Sequence, residues 1–487
     1  MPLSVHLIPL AATILLLVSR RVSLLTAGLI GMALSLAVLV AVQPSTEAAA
    51  GVVALKAAEG AWLAWHAMSI IAAGLLFHRA FEARPGQAPH PDQAAAAPRG
   101  DRRRAVFVAC FLAGPFAESV TGFGVGLVVA IAILRQLGLP PLHVAALGLF
   151  SQVLSPWGAL AVGSRVGAEL AGIPFAELGT ASALLMMVVL PGLMPVFWRL
   201  IHGAGLTSSP AERAADIALA LVLAGLVWVT NRFVAPELGG GLATAVLLLL
   251  VEGPRLPRDT SSLRQLLARL WPYILLVCGL MATRLLPPFS GWTGDVLVLD
   301  PFGGLAPLPI LRHPSTWLLL VAALLLAGLP PGRAGGVLRG SLRAALVPMA
   351  ATLVFVELAG FMGASGGAAA FGQAWQNMAG DMAVLAAPVF AAAAGALTGS
   401  NTASNALMMH IQLSLAAGSG LPPVTTAAVQ TVAGSLCTIL MPGRIVLAAG
   451  LLGLKKAEGP IYRLALPIGL VPAALLLAVV AVEVWLL

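Results

Sequence analysis

One pattern is written twice along this chain, with the copies about 280 residues apart. The first copy contains Thr121-Gly122, Gly138-Leu139-Pro140-Pro141-Leu142, Ala145-Ala146-Leu147, Ser155-Pro156 and Leu160-Ala161-Val162-Gly163. The second contains Thr398-Gly399, Gly420-Leu421-Pro422-Pro423-Val424, Ala427-Ala428-Val429, Met441-Pro442 and Leu447-Ala448-Ala449-Gly450. Duplicated halves whose hydrophobic segments are interrupted at matching positions mark a secondary transporter, and the interruptions point to its substrate site.

The solvent for such a chain is lipid. Of its 487 residues, 59% are hydrophobic and 9% charged, more apolar surface than a soluble domain can hide. The 27 Lys and Arg exceed the 19 Asp and Glu, giving a net charge of +8. The basic residues sit in short loops between apolar runs, so they report membrane orientation and not a nucleic-acid partner. Cys110, Cys278 and Cys437 all lie within apolar segments and read as small core residues. Met1 to Val18 has no basic n-region, and reads as a retained first span.

Twelve apolar runs are expected to span the bilayer: 4–19, 22–42, 60–78, 142–164, 173–198, 214–232, 237–252, 271–287, 315–330, 344–362, 424–452 and 461–487. Two more, 105–135 and 383–417, are broken by glycine and small polar residues and read as re-entrant hairpins. The expected fold is an all-α polytopic membrane protein of about 12 transmembrane helices plus two hairpins. Residues 1–198 form the first repeat, 199–270 the linking helices and 271–487 the second repeat, inverted relative to the first. With the N-terminus outside, the basic loops all fall on the cytoplasmic side and 289–314 lies outside. Residues 83–104 read as a flexible cytoplasmic loop, and 48–59 and 371–382 as interfacial helices.

The hairpins hold the chemistry. Around Thr121 and Gly122 the first offers backbone amides at a half-helix start, where an anion is favoured, and Glu118, a carboxylate in an apolar stretch that could take up and release a proton. The alternative is that Glu118 caps a half-helix or pairs with a buried arginine; its cost at membrane depth favours the functional reading. The second hairpin concentrates Thr398, Gly399, Ser400, Asn401, Thr402, Ser404 and Asn405, which cannot face lipid. They could cap the half-helices, bind a carboxylate or cation, or do both. His410 and Gln412 read as helix-packing groups. Ser151, Gln152 and Ser155 interrupt one span, and Thr438, Pro442-Gly443 and Arg444 another. Arg444 could grip a substrate carboxylate, snorkel, or pair with Glu118 or Glu357. Glu357 and His66 read as structurally paired, Arg165 and Glu169 as a local i,i+4 pair, and Arg284 as snorkelling.

Phe116-Ala117-Glu118 through Gly122-Phe123-Gly124, Leu397-Thr398-Gly399-Ser400-Asn401-Thr402-Ala403-Ser404-Asn405-Ala406-Leu407, and Leu452-Gly453-Leu454 with Lys455 and Glu458 resemble motifs of the bacterial lactate permease family. The resemblance implies proton-coupled symport of lactate or glycolate across the bacterial cytoplasmic membrane. It also implies membership of a wider transporter group in which homodimers with a scaffold and a mobile domain are usual. Members often carry Asp where this chain has Asn401 and Gln near Arg444, so the present site is more positive and leaves proton coupling to Glu118. The expected partners are a small organic anion and the lipid bilayer. No cofactor or metal is expected, only an ion gradient, with sodium as the alternative to protons. The rival readings are a sodium-coupled di- or tricarboxylate carrier of the same fold, an anion channel, and an intramembrane enzyme. No His/Asp/Glu metal spacing, Ser–Lys pairing or nucleotide loop supports the last.

Overall fold

The computed structural model describes residues 3–84, 102–256 and 259–486. Most of the expected cytoplasmic loop, residues 85–101, lies outside the described residues. The described residues are helical almost throughout, with one short two-stranded ribbon among them pairing Val298–Leu299 with Leu308–Pro309. Among the described residues ten helices are long and apolar enough to cross a bilayer, or twelve if each of two bent pairs is counted as one span. Every expected apolar run is a helix or a broken helix pair, and both expected hairpins form.

Two differences from expectation have local causes. Residues 48–59 are not a separate interfacial helix. They are the first turns of Thr46–Glu82, an unbroken helix of 37 residues, about 55 Å long at 1.5 Å per residue. Ser45 caps it by accepting from the amide of Ala48 at 3.2 Å, and no proline interrupts the alanine-rich stretch that follows. Cys278 is exposed on the helix Thr260–Leu285, unlike the buried Cys110 and Cys437. The segment 371–382 does fall largely within a separate helix, Gly367–Ala379, bent by 112° from the helical stretch that follows it.

The helices sort into a framework and a site-bearing bundle. In the framework, Thr46–Glu82 packs along Pro331–Ala364, Leu24–Val42 packs on Pro331–Ala364, and Pro314–Ala327 on Thr46–Glu82. Gly28 and Gly31 bring these helices close: a Cβ at Gly28 would meet Phe355 at 2.8 Å, and one at Gly31 would meet Leu358 at 2.7 Å. In the bundle the halves exchange partners. The second arm of hairpin two, Asn401–Ala416, packs on Gly158–Ala171 of the first half, and Phe175–Gly192 packs on Pro423–Cys437 of the second. The linking helix Pro210–Phe233 packs on Phe175–Gly192, and Gly239–Glu252 on the first hairpin.

Four arginines, Arg84, Arg103, Arg104 and Arg135, gather at one end. Arg84 donates to the carbonyls of Ala268 and Arg269, Arg103 pairs with Asp216, Arg104 with Glu252, and Arg135 reaches the carbonyl of Leu451. The opposite end is tied by Trp62 donating to the carbonyl of Ala306 at 3.1 Å and by Gln376 donating to Ser414 and Leu415 at 3.2 Å. Cytoplasmic loops carry the excess of Lys and Arg, which assigns the arginine end to the cytoplasm. Cysteine introduced at exposed Thr207, beside the Arg103 contacts, is expected to resist a membrane-impermeant maleimide in intact cells, while cysteine at Gly304 reacts. Labelling at position 207 alone would invert the assignment.

Candidate substrate site

Both hairpins turn on glycine in the middle of the bundle. In the first, the arm Arg102–Thr121 ends at Gly122, Phe123 and Gly124, all with positive φ (72°, 57° and 84°), before Val125–Gln136 returns. Glu118 caps the returning arm: Oε1 accepts from the amide of Gly124 at 3.3 Å and Oε2 from that of Gly126 at 3.0 Å. Gly126 is required there, because a Cβ would meet the carbonyl of Gly114 at 2.5 Å. In the second hairpin Ala387–Thr398 ends at Gly399 (φ 64°), and Ser400 caps Asn401–Ala416 by accepting from the amide of Ala403 at 3.3 Å. Thr121 and Thr398 occupy equivalent places and do the same thing: each hydroxyl donates to the carbonyl four residues earlier, at 2.6 and 2.8 Å.

Each hairpin tip docks against the broken span of its own half. The first span breaks into short 3₁₀ turns at Leu149–Gln152 and Ser155–Trp157, then passes through Ala159, Leu160 and Ala161, all left-handed (φ 50°, 55° and 59°). A left-handed non-glycine residue costs about 1–2 kcal/mol, so this turn must be held from outside. Trp157, fully buried, anchors it by donating to Asn231 Oδ1 of the linking helix at 3.0 Å. The second span breaks at Met441, which is extended, before Pro442–Leu451. A Cβ on Gly122 would strike Ala159 at 2.6 Å, and one on Gly399 would strike Met441 at 2.5 Å.

Between tips and breaks lies a cleft of about 200 Å³. Ser400, Asn401 and Thr402 line it from the second hairpin, and Glu118 and Gly122 from the first. Ser155 and Arg444 come from the two breaks, and Gly399 from the second tip. Leu24, Ile71 and Thr352 of the framework close the other wall, so the cleft sits on the boundary between the two bodies. Arg444 is half-buried and donates to Oε1 of the neutral Gln152. Among the described residues no carboxylate lies within ion-pair distance of it; Glu118, on the same cleft, acts on it from farther away. Arg284, expected to snorkel, is instead buried in an ion pair with Glu237.

The remaining candidates bond to neighbouring protein groups and lie away from the cleft. Asn405 donates to the carbonyl of Gly163 at 2.9 Å, and Ser404 and Asn405 both accept from Gln430. Gln412 ties Gln430 to the carbonyl of Ala387, as its reading as a packing group implies. Ser151 accepts from Gln152, and neither it nor Thr121, Thr398, Ser404 or Asn405 lines the cleft. Phe123, Val162 and the framework residues do line it, and apolar side chains in apolar sequence carried no signal of that.

The sequence profile of the L-lactate permease family matches residues 3–252 and 305–487. The chain belongs to the L-lactate permease family. Two curated relatives, both called L-lactate permease, come from Salmonella typhimurium and Salmonella typhi; each is 24% identical over 421 residues, which cover 74% of either chain. Among solved structures it is similar to the Alcanivorax borkumensis YdaH transporter, described as having an unusual topology, with 18% identity, a TM-score of 0.42 and coverage of 87% of this chain and 85% of that one. Family membership and the apolar helices make it a multi-pass protein of the bacterial inner membrane.

The contact between the hairpin and the broken span is tight enough to test. A Cβ on Gly163 would meet Nδ2 of Asn401 at 2.8 Å, and one on Gly167 would meet Nδ2 of Asn405 at 2.7 Å. Overpacking of this kind costs typically about 1–3 kcal/mol. Gly163→Val is expected to lower the melting temperature of the purified permease and abolish transport. Gly225→Ala, at a glycine with open space around it, is expected to do neither.

Proposed function

We propose that this permease is a secondary active transporter that takes up a small hydroxy-monocarboxylate, lactate or glycolate, together with protons. Family membership and the names of the Salmonella relatives support the substrate class. The observation that carries the reading is Arg444, whose hydrogen-bond partner is the neutral Gln152, facing a cleft that the tip of hairpin two also lines. Glu118 is the acidic side chain that shares the cleft with Arg444; when Glu118 carries its proton the guanidinium is left uncompensated and calls for an anion, and its planar fork fits a carboxylate. One arginine balances one carboxylate, which favours a monocarboxylate over a di- or tricarboxylate. The cleft is also smaller than the roughly 300–1,000 Å³ that drug-sized ligands occupy. Ser400, Asn401 and Thr402 surround the carboxylate and hydroxyl of the substrate, and Glu118 carries the coupling proton in the same cleft.

Losing one partner of a buried charge pair costs about 2–5 kcal/mol, or roughly 30-fold and more in affinity. Arg444→Gln is therefore expected to weaken lactate binding by at least that factor without unfolding the protein, with Asn401→Ala weakening it less. Binding by Arg444→Gln at wild-type affinity would remove the arginine from the site. Glu118→Gln keeps an acceptor for one backbone amide and loses the titratable proton. It is expected to abolish uphill, pH-driven uptake in proteoliposomes and to retain counterflow exchange. Proton-driven accumulation at the wild-type level in that variant would assign coupling elsewhere, and accumulation that follows sodium instead of pH would replace the proton.

A further inference from the structure

A second cavity, of about 340 Å³, lies at the other end of the same boundary. Leu305, from the segment at the arginine-poor end, lines it. Its walls come from the framework (Lys56, Glu59, Gly60) and from the bundle (Glu169, His410). Next to it stands a set of buried ionisable groups that the substrate site does not use. The Glu169 side chain is 8% exposed and that of His66 1%, with Nδ1 of His66 3.9 Å from Oε1 of Glu169. Neither carboxylate oxygen and neither ring nitrogen has a hydrogen-bond partner. His313 meets His66 edge-on, with ring centroids 5.7 Å apart, and bonds Ser315 through Nδ1. Glu357, expected to be structurally paired, has an unpartnered Oε2 and lies against Gly60 of the cavity wall. His410 lies against Gly363.

The surrounding charges are accounted for. Arg165 sits 3.8 Å from Glu169 as the expected i,i+4 pair and stacks on Phe175. Lys56 is paired with Glu59 at 2.6 Å, and Arg284 with Glu237. Among the described residues, no side-chain hydrogen bond joins Leu24–Val42, Thr46–Glu82 or Pro331–Ala364 to the hairpins or broken spans. His66–Glu169 is the one contact of ion-pair range between them.

We propose that Glu169 and His66 form a proton-loading site on the outer side of the permease, distinct from Glu118. With the proton of neutral His66 on Nε2, Nδ1 and Oε1 face each other as two acceptors; one proton from the outer aqueous phase adds to the pair and is shared between them as an N–H···O bond, taking its net charge from −1 to 0. Forming that bond requires Nδ1 and Oε1 to close from 3.9 Å to about 2.7–3.2 Å. Glu169 rides on the broken span and His66 on the framework, so loading pulls the two bodies together on the outer side. A buried carboxylate without hydrogen-bond donors is costly, and a shared proton relieves that cost on both partners. The inference rests on the reading of the permease as proton-driven.

The test begins without substrate. In full-length protein in nanodiscs, infrared difference spectra across an acid step are expected to show a carboxyl band that Glu169→Gln removes and whose pH midpoint His66→Gln shifts. In proteoliposomes, Glu169→Gln is expected to retain lactate counterflow and lose pH-driven accumulation. A band that survives Glu169→Gln, or a wild-type pH profile of uptake in that variant, overturns the proposal. If Glu169→Gln does not fold, an unshifted midpoint in His66→Gln overturns it. If the wild type takes up no lactate yet shows the band and Glu169→Gln removes it, the proton site stands and the substrate assignment falls.

Discussion

Backbone that is not helical at membrane depth has to find its hydrogen bonds within the protein, and this requirement shapes the middle of the permease. Each unsatisfied amide or carbonyl in hydrocarbon costs several kcal/mol. Four helix interruptions meet here, two hairpin tips and two broken spans, and they answer one another. Glu118 closes the amides of the first returning arm, Ser400 caps the second, and Asn405 takes the carbonyl of Gly163 just past the left-handed turn. The glycines at the tips let each turn press on a break, Gly122 on Ala159 and Gly399 on Met441. The polar surface this leaves over lines the cleft between tips and breaks.

The two halves solve the same problem with different chemistry. The first hairpin uses one carboxylate to hold two amides, and the second uses hydroxyls and carboxamides. The breaks differ too: Gln152 stands in the first and Arg444 in the second, and the two side chains meet. Each half therefore contributes one ionisable side chain to the cleft, the acid Glu118 from the first and the base Arg444 from the second. A duplicated scaffold with an acid on one copy and a base on the other produces a polarised site from a symmetric frame.

The spans and hairpins were legible because they depend on local composition: apolar length, and glycine at the tips. The left-handed turn was not. Ala159, Leu160 and Ala161 are ordinary helix formers, and what holds them is Trp157 bonded to Asn231, 74 positions along the chain. The polar run of the second hairpin was visible as a cluster, but its division was not. Ser400, Asn401 and Thr402 reach the cleft, whereas Ser404 and Asn405, a turn further on, meet Gln430. Arg284 was misread for the same reason, since its partner Glu237 lies outside any helical spacing. Tertiary partners decide between a binding group and a packing group, and spacing within one helix does not contain them.

The boundary on which both cavities lie differs from the interfaces within each body. Inside the framework, Gly28 and Gly31 bring helices into contact with Phe355 and Leu358; inside the bundle, Gly163 and Gly167 do so with Asn401 and Asn405, supported by side-chain hydrogen bonds. Across the boundary, glycines of the framework meet the bundle without hydrogen bonds: Gly74 faces the carbonyl of Thr121, and Gly363 faces His410. Packing without directional bonds can slide, whereas an interdigitated and hydrogen-bonded interface resists it. Motion between the bodies would therefore follow this plane, opening one cavity as it closes the other. Whatever occupies Arg444 and whatever protonates the groups facing the outer cavity then act on a single displacement, which is the physical requirement for coupling a gradient to transport.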